Sequence, residues 1–252
     1  MAYTIISSNI RFDNPADGRH SWDSRKHLLW DVLNSYAPDI LGSQEARRPQ
    51  LQDFSKGLQE IEMISRHREW IDERMYPCIF VNPRTIDVLD SGDIWLSETP
   101  QAAGSKSFES AFPRLATWIK GKFSATGLAF FYMNTHLDHV HEKTRIEQAQ
   151  VLVAELIKAN VDNLPVILSG DFNAAPISQV RDAVEKLRLN DPWSQPEETS
   201  FHKFHGVYPG GNRIDWILFD KIFDCLNISF DKTSRAGSWP SDHFPLVAKF
   251  TF

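Results

Sequence analysis

Between Pro165 and Gly170 the chain runs Val166-Ile167-Leu168, a β-branched apolar stretch that reads as a buried strand rather than a half-exposed one. Gly170 ends it. Beyond the glycine, Asp171 and Asn173 sit two positions apart, so in extended geometry both project to one side while Phe172 turns into the packing. That sets an acceptor-only carboxylate beside an amide that both donates and accepts, a pair able to hold a water and a phosphoryl oxygen together. Taken alone, Gly-Asp-x-Asn reads better as an Asx-type turn after a strand.

The other notable polar residues weigh against that bland reading by where they fall. Tyr3 to Asn9 is a short strand ending in Asn9, and Asp39 to Glu45 a strand ending in Glu45. Leu128 to Asn134 pairs with Ala116 to Lys120 across a Ser124–Gly127 hairpin turn and delivers His136 to its end. Arg213 to Phe219 embeds Asp215 among apolar neighbours, where a carboxylate is costly unless paired. Asp242 and His243 lie in the loop ahead of the last strand, Leu246 to Phe252. Strand ends gathered at one edge of packed sheets can present side chains to a single site.

Helical periodicity marks a helix capped by Asp23 or Ser24, a second opening at Pro49, a long one between His141 and Asn160, and another near Ala183 to Leu187. Cys78 to Val81, Ile86 to Leu89 and Ile94 to Leu96 read as antiparallel strands separated by short turns such as Asp90-Ser91-Gly92. Arg66 to Arg74 is a charged stretch expected to be a solvated loop.

At 252 residues one domain spanning 1–252 is the expectation, and no apolar run approaches the roughly 20 residues of a membrane span. Met1 to Ile6 enters a strand pattern instead of a secretory signal, and Cys78 and Cys225 lack metal-site spacing, so the cytoplasm is expected. A net charge of −6 offers no bulk attraction to polyanions, which disfavours nucleic acid as a partner unless a local patch supplies it. Glu45, Asp171 and Asp242 offer hard carboxylate oxygens and Asn9 an amide oxygen, a set suited to Mg²⁺ or Mn²⁺.

In their order, Ser8-Asn9, Gln44-Glu45, Asn134-Thr135-His136-Leu137-Asp138-His139, Gly170-Asp171-Phe172-Asn173, Arg213-Ile214-Asp215-Trp216 and Ser241-Asp242-His243 span nearly the whole chain. Any one is weak, but the ordered set resembles the endonuclease/exonuclease/phosphatase superfamily of metal-dependent phosphoesterases. A closer resemblance, through Ser91-Gly92-x-x-Trp95-Leu96-Ser97-Glu98-Thr99-Pro100 and Pro113-Arg114-x-Ala116-Thr117-Trp118, is to bacterial, largely uncharacterised members.

The resemblance implies an α/β fold, a four-layer α-β-β-α sandwich of two packed mixed, largely antiparallel sheets. It implies in-line attack of water on a phosphomonoester or phosphodiester with no covalent enzyme intermediate. Asn9, Glu45 and Asp242 would form the metal neighbourhood, with Glu45 the principal ligand. Asp171 would orient or deprotonate the water, helped by Asn173. Asp215 would hydrogen-bond His243, which would face the phosphate as a donor, and His136 would be a second donor. In deoxyribonuclease-like relatives a glutamate pairs with the residue matching His136, and Glu73 is the nearest candidate here. Net charge points to a small or end-presented phosphoester as substrate; a nuclease acting on single strands and a non-catalytic phosphate-binding protein are the alternatives.

Overall fold

The computed structural model describes residues 1–252. Strand β1 (Tyr3–Asn9) leads through a 3-10 turn at Pro15–His20 to α1 (Trp22–Ser35), β2 (Ile40–Arg47), α2 (Arg48–Gly57), β3 (Glu62–Ile64), β4 (Met75–Val81) and β5 (Ile86–Trp95). There follow β6 (Leu115–Phe123), β7 (Ala129–His136), α3 (Glu142–Ala159), β8 (Val166–Asp171), α4 (Gln179–Val184), β9 (Asp215–Phe219), β10 (Asp224–Phe230) and β11 (Leu246–Thr251). One sheet has the order β10-β11-β1-β2-β4-β3 and the other β5-β6-β7-β8-β9.

Three buried apolar clusters mark three interfaces. Ile5, Ile79 and Phe250 meet Phe130, Ile167 and Ile217 between the sheets. On the outer face of the first sheet, Leu29, Leu33 and Phe54 from α1 and α2 cover Ile6, Leu41 and Phe80. Leu152 and Leu156 of α3 and Val180 of α4 cover Phe131, Leu168 and Leu218 on the second. Three interfaces separate four layers, the α-β-β-α sandwich that the resemblance implies.

Strand direction then decides where side chains gather. β1 runs parallel to β2 and β7 parallel to β8, with α1 and α3 as crossovers, and parallel neighbours end on the same edge. Asn9 therefore lies in register with Gln44, and His136 with Asp171. Antiparallel β9 begins at that edge, setting Asp215 directly opposite Asp171.

Two local expectations change. Asp90-Ser91-Gly92 is no turn: β5 continues through it, and the small polar residues follow a register shift between Val88 and Asp90. Gly92 is needed because a Cβ there would stand 2.6 Å from the Trp118 ring. The charged stretch from Arg66 to Arg74 is not wholly solvated either, because the Arg68 side chain is fully buried. It forks onto Asp93 at 2.8 and 2.7 Å and lies over the Tyr76 ring at 4.8 Å. Burial alone would raise the Asp93 carboxyl, but the Arg68 charge, with the His67 hydrogen bond, holds it far below the usual carboxylate range.

Removing one partner of a buried pair strands the other, so Asp93→Asn should cost about 3 to 5 kcal/mol in urea denaturation at neutral pH. Because the folded-state pKa is depressed, this stabilisation is full at neutral pH and fades as pH falls through the acid range. The variant should therefore lose less stability on acidification than the parent; a loss under about 1 kcal/mol at neutral pH would show that Arg68 finds another partner.

Candidate active site

The site begins with a proline. Pro77 in β4 has no N–H to give the ladder, and opposite it the pairing jumps from Ser43–Cys78 to Ala46–Tyr76. Gln44 and Glu45 thus face the single Pro77 in a bulge, and Glu45 takes a left-handed backbone with φ 75°. Its carboxylate turns to the cleft, where Oε2 accepts from the Phe12 N–H at 3.3 Å. Asn134 of β7 reaches across from the other sheet to fill the damaged ladder. Its Nδ2 donates to Ser43 O and Cys78 O, both at 2.9 Å, while its Oδ1 accepts from Gln44 Nε2 at 2.7 Å. Gly42 permits this approach, since a Cβ there would lie 2.3 Å from the Tyr132 hydroxyl.

A cleft of about 250 Å³ at this edge is lined by Glu45, His136, Asp171, Asn173, Asp242 and His243. Asn9 and Asp215 stand directly behind it, so the structure brings together all eight residues singled out in the sequence. A larger depression of about 640 Å³ between the β3 and β5 edges contains no histidine, and its acids, such as Asp87 and Asp90, are exposed.

Asp171 is the centre of the constellation. Its Oδ1 accepts from Asn173 N at 2.9 Å and its Oδ2 from Asn9 Nδ2 at 3.0 Å, with His136 Nε2 at 3.4 Å and His243 Nε2 at 3.7 Å. Asn173 reaches this place with φ 49°, so Asp171 and Asn173 do form an Asx-type turn, and the site is built on it. Phe172 is buried and stacks on Trp216 at 4.2 Å. Burial, followed by the charge of Asp215, pushes the Asp171 carboxyl up to about 7. His243 Nδ1 bonds Asp215 Oδ2 at 2.9 Å. Burial would lower the imidazole pKa, but the charges of Asp215 and Asp171 and that hydrogen bond outweigh it, raising His243 to about 10. The result is a cation between two carboxylates, facing the cleft.

His136 is arranged the opposite way. An arginine can only donate, so the 3.0 Å contact of Arg114 Nη1 with His136 Nδ1 fixes the proton on Nε2. Burial and the Arg114 charge hold this histidine neutral, far below its usual range. Glu73 takes no part: it is 81% exposed and lies 3.5 Å from Arg47. The residue paired with His136 is a cation, not the expected acid.

Glu45 and Asp242 are the carboxylates inside the cleft that have no base at hydrogen-bond distance. Burial and then, against the His243 charge, the nearby Glu45 raise the Asp242 carboxyl, and the nearest cation, Arg11 Nε, is 3.8 Å away. Crowded hard oxygens of one sign fit a divalent cation such as Mg²⁺ or Mn²⁺. Asn9 gives its Nδ2 to Asp171, and its Oδ1 accepts from Arg11 N at 2.9 Å with a second lone pair left over. Asp171, Asp215 and His243 also place three ligand atoms within 4.8 Å of one another. Their geometry describes an acid–imidazole chain better than a metal cage, because His243 Nδ1 is hydrogen-bonded to Asp215, while Nε2, 3.7 Å from Asp171, is beyond hydrogen-bond distance and remains available to the cleft.

The sequence profile of the Endonuclease/Exonuclease/phosphatase family matches residues 6–243. The chain belongs to that family. Family members are hydrolases acting on phosphoester bonds. The mannosyl-6-phosphatase of Bacteroides thetaiotaomicron is 28% identical with a TM-score of 0.87, over 99% of this chain and 100% of that one. An endonuclease/exonuclease/phosphatase protein from Bacteroides vulgatus is 27% identical with a TM-score of 0.90, covering 100% and 99%. A curated relative, the Ccr4 exoribonuclease subunit of Mycosarcoma maydis, is 22% identical over 72% of this chain but only 35% of its own length. The chain thus spans about a third of that protein.

Within this family framework the cleft also holds Arg11, Phe12, Phe112 and Phe201, which the sequence motifs did not mark. Two tryptophans of the neighbouring loops are not in the cleft: Trp22, the first residue of α1, is buried against Phe54 of α2, and Trp239 packs on His202 and Phe244. Nothing in the local pattern distinguishes Phe12 from a loop aromatic. Only the neighbouring Asn9 hints at its position.

Asn134→Leu tests the seam that presents Glu45. It removes a buried amide that makes three hydrogen bonds and should cost on the order of 2 to 4 kcal/mol in denaturant unfolding. Unchanged stability would mean that water replaces the amide.

Proposed function

We propose that this chain is a Mg²⁺- or Mn²⁺-dependent phosphoester hydrolase acting on small or end-presented phosphoesters by in-line attack of water. The observation behind this reading is the His243 imidazolium, held between Asp215 and Asp171 and facing a cleft that also contains Glu45 and Asp242. Sequence likeness to a sugar phosphatase over the full chain supports a small ester over a polymer.

Glu45 and Asp242 would hold the metal, which when bound neutralises charge on the phosphoryl oxygens. The residues of the chain supply the rest. Asp171, raised to about 7 and steadied by Asn9 and Asn173, takes the proton of the attacking water as its oxygen bonds to phosphorus. The bond to the leaving oxygen breaks on the opposite side, and that oxygen takes a proton from solvent. His243 and the Nε2–H of His136 donate to the phosphoryl oxygens as negative charge grows there. Asp215 keeps the His243 cation oriented, and being fully buried it does so without competition from water.

Hydrolysis of bis-(p-nitrophenyl) phosphate with Mn²⁺ should be lost in EDTA. Glu45→Gln should weaken Mn²⁺ binding measured by calorimetry, and Asp171→Asn should lower kcat by about 10² to 10⁴. Activity that survives EDTA, or a fully active Glu45→Gln, would refute the metal-dependent reading.

A further inference from the structure

Beside the catalytic cleft lies a second cavity of about 340 Å³, continuous with it through Arg114, His139, Phe12, Phe112 and Met75. Its charged walls are the guanidiniums of Arg47, Arg74 and Arg114 against the single carboxylate of Glu73. Arg47 closes β2, Arg74 precedes β4 and Arg114 precedes β6. The register partner of Arg47 is Met75, which brings the first two side by side.

These cations are underused. Arg114 is 6% exposed, and its guanidinium meets ring nitrogens of His136 and His139 instead of a carboxylate, with Nε left without a partner. Nε of Arg47 and of Arg74 are likewise buried and unpaired. Arg114, buried with no carboxylate at hydrogen-bond distance, is costly unless a ligand supplies one, while Arg47, 40% exposed, has only Glu73 at 3.5 Å. Forked guanidiniums match the oxygens of a phosphoryl group. At the junction of the two cavities stand the Phe12 ring, contacted by Arg11 at 4.5 Å and Arg47 at 5.4 Å, and Phe112, which is 44% exposed. They offer apolar surface to an uncharged framework lying between two anionic groups.

We infer that this annex is a subsite for a second phosphoryl group, and that the substrate is a small molecule bearing two phosphates, one placed for hydrolysis and one held by Arg47, Arg74 and Arg114. This rests on the hydrolase reading above. Three cations in one depression suit a compact ligand; a polynucleotide would need a longer basic track. Glu73, 3.5 Å from Arg47, occupies the annex as a solvated stand-in that the phosphate displaces.

Equilibrium binding of glucose 1,6-bisphosphate and glucose 6-phosphate to the whole protein, measured by calorimetry, tests the annex without turnover. Steady-state kinetics on both, with p-nitrophenyl phosphate as reference, tests the catalytic reading. The bisphosphate should bind at least about tenfold more tightly than the monophosphate. Arg47→Gln and Arg74→Gln should each erase most of that preference while leaving p-nitrophenyl phosphate turnover unchanged. Glu73→Gln should act in the opposite direction and tighten the bisphosphate, which separates an annex effect from poor folding. Equal binding of the two sugars, or a preference that survives both arginine variants, overturns the inference. So does a single-stranded oligonucleotide that binds more tightly than the bisphosphate and loses that affinity in the same variants. Absence of all turnover would instead fall on the hydrolase reading, with the binding ratio still deciding the annex.

Discussion

Everything at this edge depends on one amide. Pro77 interrupts the β2–β4 ladder, and directional bonds from the opposing sheet hold the backbone at the last pair before the gap, Ser43–Cys78. Asn134 supplies both protons and accepts from Gln44 in return. Farther from the edge the same interface is mostly apolar, with Tyr3, Phe123, Phe130 and Phe250 in contact. The inter-sheet layer therefore changes from non-directional packing to directional hydrogen bonding as it nears the cleft. Directional bonds fix the bulge, and the bulge fixes Glu45.

Electrostatic placement follows from strand pairing just as directly. Asp171 and Asp215 are cross-strand neighbours, a position where like charges repel. His243 relieves the conflict by standing between them as a cation, and the loop carrying it is tied down by Ser241, whose Oγ donates to Asn9 O at 2.6 Å. Arg25 reinforces the same junction. It is 1% exposed, and its guanidinium donates to the carbonyls of Ile10, Arg11, His20 and Pro240, so its charge is spent on loop geometry instead of on ligand.

Motifs at strand ends were legible in the sequence because strand periodicity and terminal polar residues are local signals. The placement of Asn9, Glu45, His136, Asp171, Asn173, Asp215, Asp242 and His243 around one cleft followed from that pattern and from the family resemblance. Less local facts were not legible. The partner of His136 is Arg114, from another strand end, and no spacing rule links residues brought together by sheet pairing. Arg68 looked like part of a solvated charged run because its partner, Asp93, lies across a tertiary contact. Asp90-Ser91-Gly92 had turn composition, yet continuous pairing with β6 overrode it.

The strand that begins the fold is enclosed by the strand that ends it. β1 lies between β2 and β11, and the Ser241–Asn9 bond closes a loop of 232 residues. Such a contact is among the most entropically demanding a chain this size can make, which places it late in folding. During synthesis Asn9, Glu45 and Asp171 all leave the ribosome before Asp242 and His243. The edge is therefore incomplete until the loop carrying Asp242 and His243 has been made, and it closes only when that loop packs back onto Asn9.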